Sequence, residues 1–235
     1  MLGMRSRCAM LSLALAMAAG ASAAETRIGA VVQRDYTGAV GIRAGGEAAE
    51  RLFYDREVFS EQQVRTDRDA NTRLRFLDAT ELTVGGNSNV LLDRFIYDPD
   101  SGAGEAAITF GKGVFRFVTG RIRTKEAVTL KTPTATIAIR GTHLIVTVRN
   151  DGSAEIALVE GAILVQPCGG AASLAAAAPA TVQIAQTCEA PTARDGYEIP
   201  AEFDKSNQDN REGGKGGGSP NSSAGGRQGG GGQKP

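Results

Sequence analysis

Lys131–Val148 reads KTPTATIAIRGTHLIVTV. Apolar and polar residues alternate over Ala135–Ile139 and again over Leu144–Val148. Such period-two alternation marks β-strands with one buried face. A polar break, Arg140-Gly141-Thr142-His143, separates the two runs. Pro133 stands at the entrance, where a strand can begin without losing a ladder hydrogen bond. Gly141 sits where a break between strands calls for positive φ or a close backbone approach.

The same alternation continues outward. Upstream, Leu74 and Phe76 fall on one face of Thr72–Asp78, with Arg73 and Arg75 on the other. Glu81–Val84 repeats this with Leu82 and Val84 inward, and Ala107–Phe110, Val114–Thr119 and Ala127–Lys131 follow. Downstream, Asn150-Asp151-Gly152 between two alternating runs predicts a hairpin into Ala154–Val159. Glu160-Gly161 then turns the chain into Ala162–Gln166. Ile28–Gln33, Thr37–Arg43 and Val182–Ala185 read as further strands, while the Ala-rich start of Glu47–Tyr54 also fits a helical turn. About a dozen short strands with little room for helix predict an all-β domain. The short separations favour β-solenoid-like stacking, with a β-sandwich or jelly roll as the alternative.

The ends differ from this domain. Residues 1–24 carry Arg5 and Arg7, then the apolar run Ala9–Ala19, then small residues ending Ala23-Ala24. That is the pattern of a cleaved signal peptide, and the run is shorter than the roughly 20 apolar residues of a bilayer span. Residues 204–235 are polar and Gly-rich, with little to bury, and read as a disordered tail. The domain therefore occupies 25–203, with its core over 55–166. The expected location is the periplasm or the exterior, without stable membrane insertion after cleavage.

The chain of 235 residues has 26 basic and 26 acidic side chains. Without Arg5 and Arg7, 24 basic residues remain against 26 acidic, a net charge of −2. No basic bias points to nucleic acid. Cys168 and Cys188 remain after signal removal, and two cysteines in an exported chain most simply form one disulfide.

Catalytic and metal sites find little support. His143 is the single histidine and has no recognisable nucleophile or orienting carboxylate beside it in sequence. Asp67-x-Asp69-x-Asn71 begins like a calcium loop, but Thr72 and Asp78 stand where glycine and glutamate are required. Asp98-x-Asp100-x-Gly102 is shorter still and reads as a turn. Gly111-Lys112-Gly113 lacks the spacing of a phosphate loop. No enzyme, cofactor or metal is expected, and Arg140 and His143 are the candidate contact residues.

The segment Lys131–Thr142 resembles the signature of the FecR domain, a TP-x-A run leading to RGT. Gly113–Gly120, with Phe115, Arg116 and Phe117, is similar to the family's glycine–Phe-Arg-Phe segment. Leu74–Leu82 resembles its strand–turn–strand run, with Ala79 where glycine is usual. Val159–Ile163 resembles its closing turn at Gly161. The resemblance covers about 55–166 and marks Pro133, Arg140, Gly141, Thr142, Phe115, Phe117 and Gly161 as fold-specifying. It implies an all-β domain outside the cytoplasmic membrane. The family's best-known members are iron-siderophore signal transducers that control a sigma factor across the inner membrane. This sequence lacks their transmembrane helix and cytosolic segment, so the binding module is what carries over. The expected function is a non-enzymatic binding module in envelope sensing or signalling. Its partner would be an envelope protein or glycan. A structural or glycan-binding scaffold is the alternative.

Overall fold

The computed structural model describes residues 25–34, 38–46, 48–124, 127–200 and 203. The segments read above as signal peptide and tail, 1–24 and 204–235, lie outside the described residues. A single sheet of 16 strands forms the domain. The first strands are β1 (Arg27–Val31), β2 (Ala39–Ile42), β3 (Ala49–Arg51), β4 (Glu57–Phe59) and β5 (Gln62–Thr66). Next come β6 (Thr72–Phe76), β7 (Glu81–Val84), β8 (Asn89–Tyr97), β9 (Gly104–Phe110) and β10 (Gly113–Val118). The last are β11 (Val128–Lys131), β12 (Ala135–Val148), β13 (Ala154–Pro167), β14 (Leu174–Ala177), β15 (Ala180–Ile184) and β16 (Thr192–Asp195).

The all-β class holds. Within the Lys131–Val148 stretch, Ala135–Val148 is one long strand, β12, rather than two. Its neighbours explain how. Along one edge it pairs with β13 from Ala135 to Val148. The other edge is shared: β11 takes Thr136–Ile139 and β10 takes His143–Val148. The first half of β12 therefore belongs to a run β3-β2-β5-β8-β9-β11, and the second to a run β10-β7-β6-β1-β4. The far edge of β13 repeats the division, with β14 on its second half and β15 on its first. The chain shuttles between the two halves, and only β9–β11 among their pairings is parallel. The short strands are thus joined by mostly antiparallel pairing into one curled sheet, where solenoid-like stacking is the expectation from sequence.

Both halves face one core. Phe110 of β9 stacks on Phe115 of β10 with ring centroids 4.4 Å apart. Phe76 of β6 meets Phe95 of β8 at 5.3 Å. Each ring pair joins the two halves. Phe115 and Phe117 are fully buried, and sequestering a side chain of that size is worth about 2–3 kcal/mol.

The corner in β12 is visible in its burial phase. Ala135, Ile137 and Ile139 point inward before the break; Leu144, Val146 and Val148 do so after it. The inward parity changes from odd to even. β13 changes parity in the same place, from Ala154, Ile156 and Leu158 to Ile163 and Val165. A one-residue offset would otherwise turn the apolar side chains out to solvent. Two irregular positions absorb it: Gly141 at φ +56° and Gly161 at φ +87°. They lie across from each other, in a register broken between Arg140 and Leu144. This is the work of a glycine bulge, which bends a strand while keeping its buried face buried.

Of the stretch Glu47–Tyr54, whose first residue lies outside the described residues, Ala49–Arg51 is a short edge strand, β3, and the turn after it leaves Phe53 and Tyr54 half-exposed. The Ala-rich stretch between the cysteines holds β14 and β15. Cys168 and Cys188 are bonded, with Cα atoms 5.0 Å apart. Phe203 packs on the outer face of the second half, against Ile145 and Ala157. Among the described residues, no helix is long and apolar enough to cross a membrane.

Candidate binding groove beside the strand corner

The corner fixes the loop that follows β10. Buried Thr142 is clasped by Thr119: the Thr119 N–H donates to the Thr142 carbonyl at 2.9 Å, and the Thr142 N–H donates to the Thr119 hydroxyl at 3.0 Å. Gly120 then threads between the Asp78–Thr80 turn and the loop. Its N–H donates to the Thr80 hydroxyl at 2.8 Å, and a side chain there would collide with the backbone of Asp78 and Thr80. Buried Asp78 braces that turn by accepting from the Thr80 N–H at 2.9 Å and hydroxyl at 2.7 Å. The Arg121 N–H donates to the Asp78 carbonyl at 2.8 Å, and the Arg123 N–H to the Gly102 carbonyl at 3.0 Å.

The segment Gly120–Thr124 is therefore tied by its backbone while Arg121 and Arg123 project into solvent and Ile122 is buried beneath them. On one side lies a groove of about 390 Å³ between Leu77, Tyr97, Asp100, Arg121 and Arg123. On the other lies a hollow of about 150 Å³ that reaches Arg140 and Gly141. Ile122 and Arg123 line both, so the two hollows share a wall. Among the described residues no ion pair engages Arg121, Arg123 or Arg140. Leu77 is 50% exposed on the groove wall. The Asp98 carboxylate is consumed by its own turn, accepting from the Ser101 hydroxyl at 2.5 Å and the Asp100 N–H at 3.0 Å. Those bonds, the Ser101 hydroxyl first, hold its pKa below the usual aspartate value. This is turn chemistry of the kind read from the sequence.

The two candidate contact residues occupy different surroundings. Arg140 is exposed at the corner and lines the smaller hollow. His143 is half-buried on the outer face of the second half, and Arg116 Nε donates to its Nε2 at 2.9 Å. That bond requires a neutral imidazole carrying its proton on Nδ1. Burial, and then the Arg116 charge, lower the His143 pKa; Glu160 opposes them. Burial also lowers the Arg116 pKa, followed by repulsion from Arg73.

The fold-motif residues have structural tasks. Pro133 sits in a turn closed by the Thr132 N–H donating to the Ala135 carbonyl at 2.8 Å. Thr134 donates from its hydroxyl to the Gly152 carbonyl at 2.9 Å, joining this turn to the β12–β13 hairpin. Arg121, Arg123 and Leu77 were not singled out from sequence. The signal available was Thr119–Thr124, TGRIRT, two arginines flanking one apolar residue between strands.

A second surface patch behaves differently. Arg43 pairs with Glu25 and Glu50, and Arg56 with Glu50 at 2.6 Å. The guanidinium groups of Arg34, Arg43 and Arg56 lie over Tyr54, Phe59 and Phe53. These cations already have partners, whereas among the described residues no ion pair engages those of the groove.

Residues 62–164 match the family described as FecR protein. Over this segment the chain is similar to FecR domains. The match runs from β5 into the second half of β13, so the matched segment includes the corner, the Gly120–Thr124 loop and both candidate residues. No curated protein matches the chain. Two solved structures of a protein provisionally named an anti-sigma factor, from Parabacteroides distasonis ATCC 8503, overlap it. They are 11% and 10% identical, each with a TM-score of 0.45, and cover 57% of this chain. The chain spans 59% of their length. At that score the overlap carries no weight for function.

Proposed function

We propose that this chain is a non-enzymatic binding module of the cell envelope that takes a protein partner in sensing or signalling. The observation that carries this reading is the open groove beside the β12 corner, where cations that form no ion pair among the described residues stand next to exposed apolar surface. Interfaces are enriched in arginine and aromatic residues set in such surroundings. In this reading, residues 1–24 direct export, 25–203 form the mature domain in the periplasm or outside the cell, and 204–235 are a disordered tether. Arg140 belongs to the contact surface. His143 contributes by holding Arg116 in place, and the Cys168–Cys188 bond clips the last strands.

Proximity labelling from the mature chain in its native host tests this. The expected result is enrichment of an envelope protein that also co-purifies with the chain. Recovery of no envelope protein by either route overturns it. A glycan-binding scaffold is the weaker alternative. Sugar rings stack on open aromatic faces, and one face of the exposed Tyr54 is already covered by Arg34, 5.3 Å from its centroid.

A further inference from the structure

Arg121, Arg123 and Arg140 come from two separated parts of the chain, yet they line two adjoining hollows that share Ile122 and Arg123 as a wall. Among the described residues, the lining contributes one carboxylate, Asp100, against these three guanidinium groups. A chain whose overall charge is zero therefore concentrates positive charge at one place. The loop that carries two of these arginines is pinned by backbone hydrogen bonds at Gly120, Arg121 and Arg123. Its side chains are thus presented by a fixed support, which lowers the ordering cost on binding. Guanidinium groups bind carboxylates in a planar, two-point fashion. Leu77, half-exposed, and Tyr97 supply apolar wall between the charges.

From this juxtaposition we infer that the groove binds an extended, acidic peptide segment of a partner protein. The partner's carboxylates sit on Arg121, Arg123 and Arg140, and its apolar side chains lie against Leu77. This inference rests on the protein-binding reading above and names the chemistry of the partner. An alternating sequence suits the site, because successive side chains of an extended chain point to opposite sides. A polyanionic sugar would satisfy the arginines but would gain nothing from an exposed leucine.

The test uses the mature chain and a blocked ten-residue peptide alternating Glu with Leu and Val, read by fluorescence anisotropy and by amide shifts in NMR spectra. The acidic peptide should bind and move the signals of Leu77, Arg121–Thr124 and Gly141. A Gln-for-Glu version should bind at least tenfold more weakly. Arg121→Glu with Arg123→Glu and Arg140→Glu should cut affinity at least thirtyfold. Leu77→Ser should cut it about fivefold while leaving the salt dependence unchanged. Should the triple variant fail to fold, the single Arg→Gln variants and the wild-type shift map carry the test. Equal binding of the Gln peptide, or shifts elsewhere than the groove, overturns the inference. So does tighter binding of a uronic-acid oligosaccharide at the same residues. If the triple variant still captures the partner found by proximity labelling, this inference falls while the binding-module reading stands. If the peptide binds as expected but no envelope protein is recovered, the reverse holds.

Discussion

The carbonyl oxygen of Gly141 fills the space that a side chain on Gly161 would need. The methyl group of Thr142 closes it further, 2.9 Å from where a Cβ would stand. The two glycines are not equivalent. Nothing lies within 4 Å of a Cβ added at Gly141. Gly141→Ala should therefore cost only the left-handed backbone penalty, about 1 kcal/mol. Gly161→Ala adds a backbone collision and should cost more than about 2 kcal/mol. Urea unfolding of both variants checks the difference, and equal costs would refute this account of the corner.

Ala79 stands at φ +67° in the turn between β6 and β7. An alanine there bears a steric penalty that glycine avoids, partly offset by the greater freedom glycine has when unfolded. Ala79→Gly should stabilise the domain by about 0.5 kcal/mol. A lowered melting temperature would contradict it.

His143 gives the stability a pH dependence of definite sign. Its pKa is lowered in the folded state, chiefly by burial and then by Arg116. The unfolded chain thus takes up the proton more readily. The contribution is complete above the free imidazole range, near about pH 6.5, and is lost as pH falls from there toward the folded value. His143→Gln keeps an acceptor for Arg116 without the titration. Its urea midpoint should vary less than that of the wild type between pH 7 and pH 5.5. Asp98 and Asp151, whose pKa values are lowered by hydrogen bonds led by Ser101 and Ser153, act at lower pH and leave this window clear.

Reducing the Cys168–Cys188 bond opens a closure with a sequence separation of 20. Chain-entropy reasoning puts the loss at about 3 kcal/mol. Cys168→Ser with Cys188→Ser should show it in calorimetry, and added reductant should leave that variant unaffected.

Much of the architecture was legible because alternation records burial directly. The parity change is already written in Ile137, Ile139, Leu144 and Val146. Asn150-Asp151-Gly152 likewise announces its hairpin. Pairing partners distant in sequence were not legible. Nothing local says that β10 and β11 share one edge of β12, since that follows from how the whole sheet curls. β16 was missed because its four residues are all exposed and show no periodic pattern. Of the contact surface, Arg140 was identifiable from its place in the break. Arg121 and Arg123 were not, because their convergence on Arg140 depends on the Thr119–Thr142 clasp, which joins residues 23 apart.

The long β12–β13 hairpin also has a consequence for the order of folding. It is the one local pairing that contributes ladder to both halves of the sheet. Contacts between neighbouring segments form faster than distant ones, because less loop entropy is lost in closing them. The hairpin is expected to serve as the template on which β10, β11, β14 and β15 add their edges. Gly152 holds its turn at φ +85°, and a bulky residue there, as in Gly152→Val, should slow refolding more than it speeds unfolding. With that outcome, the two halves of the sheet owe their mutual alignment to the earliest event in the history of each molecule.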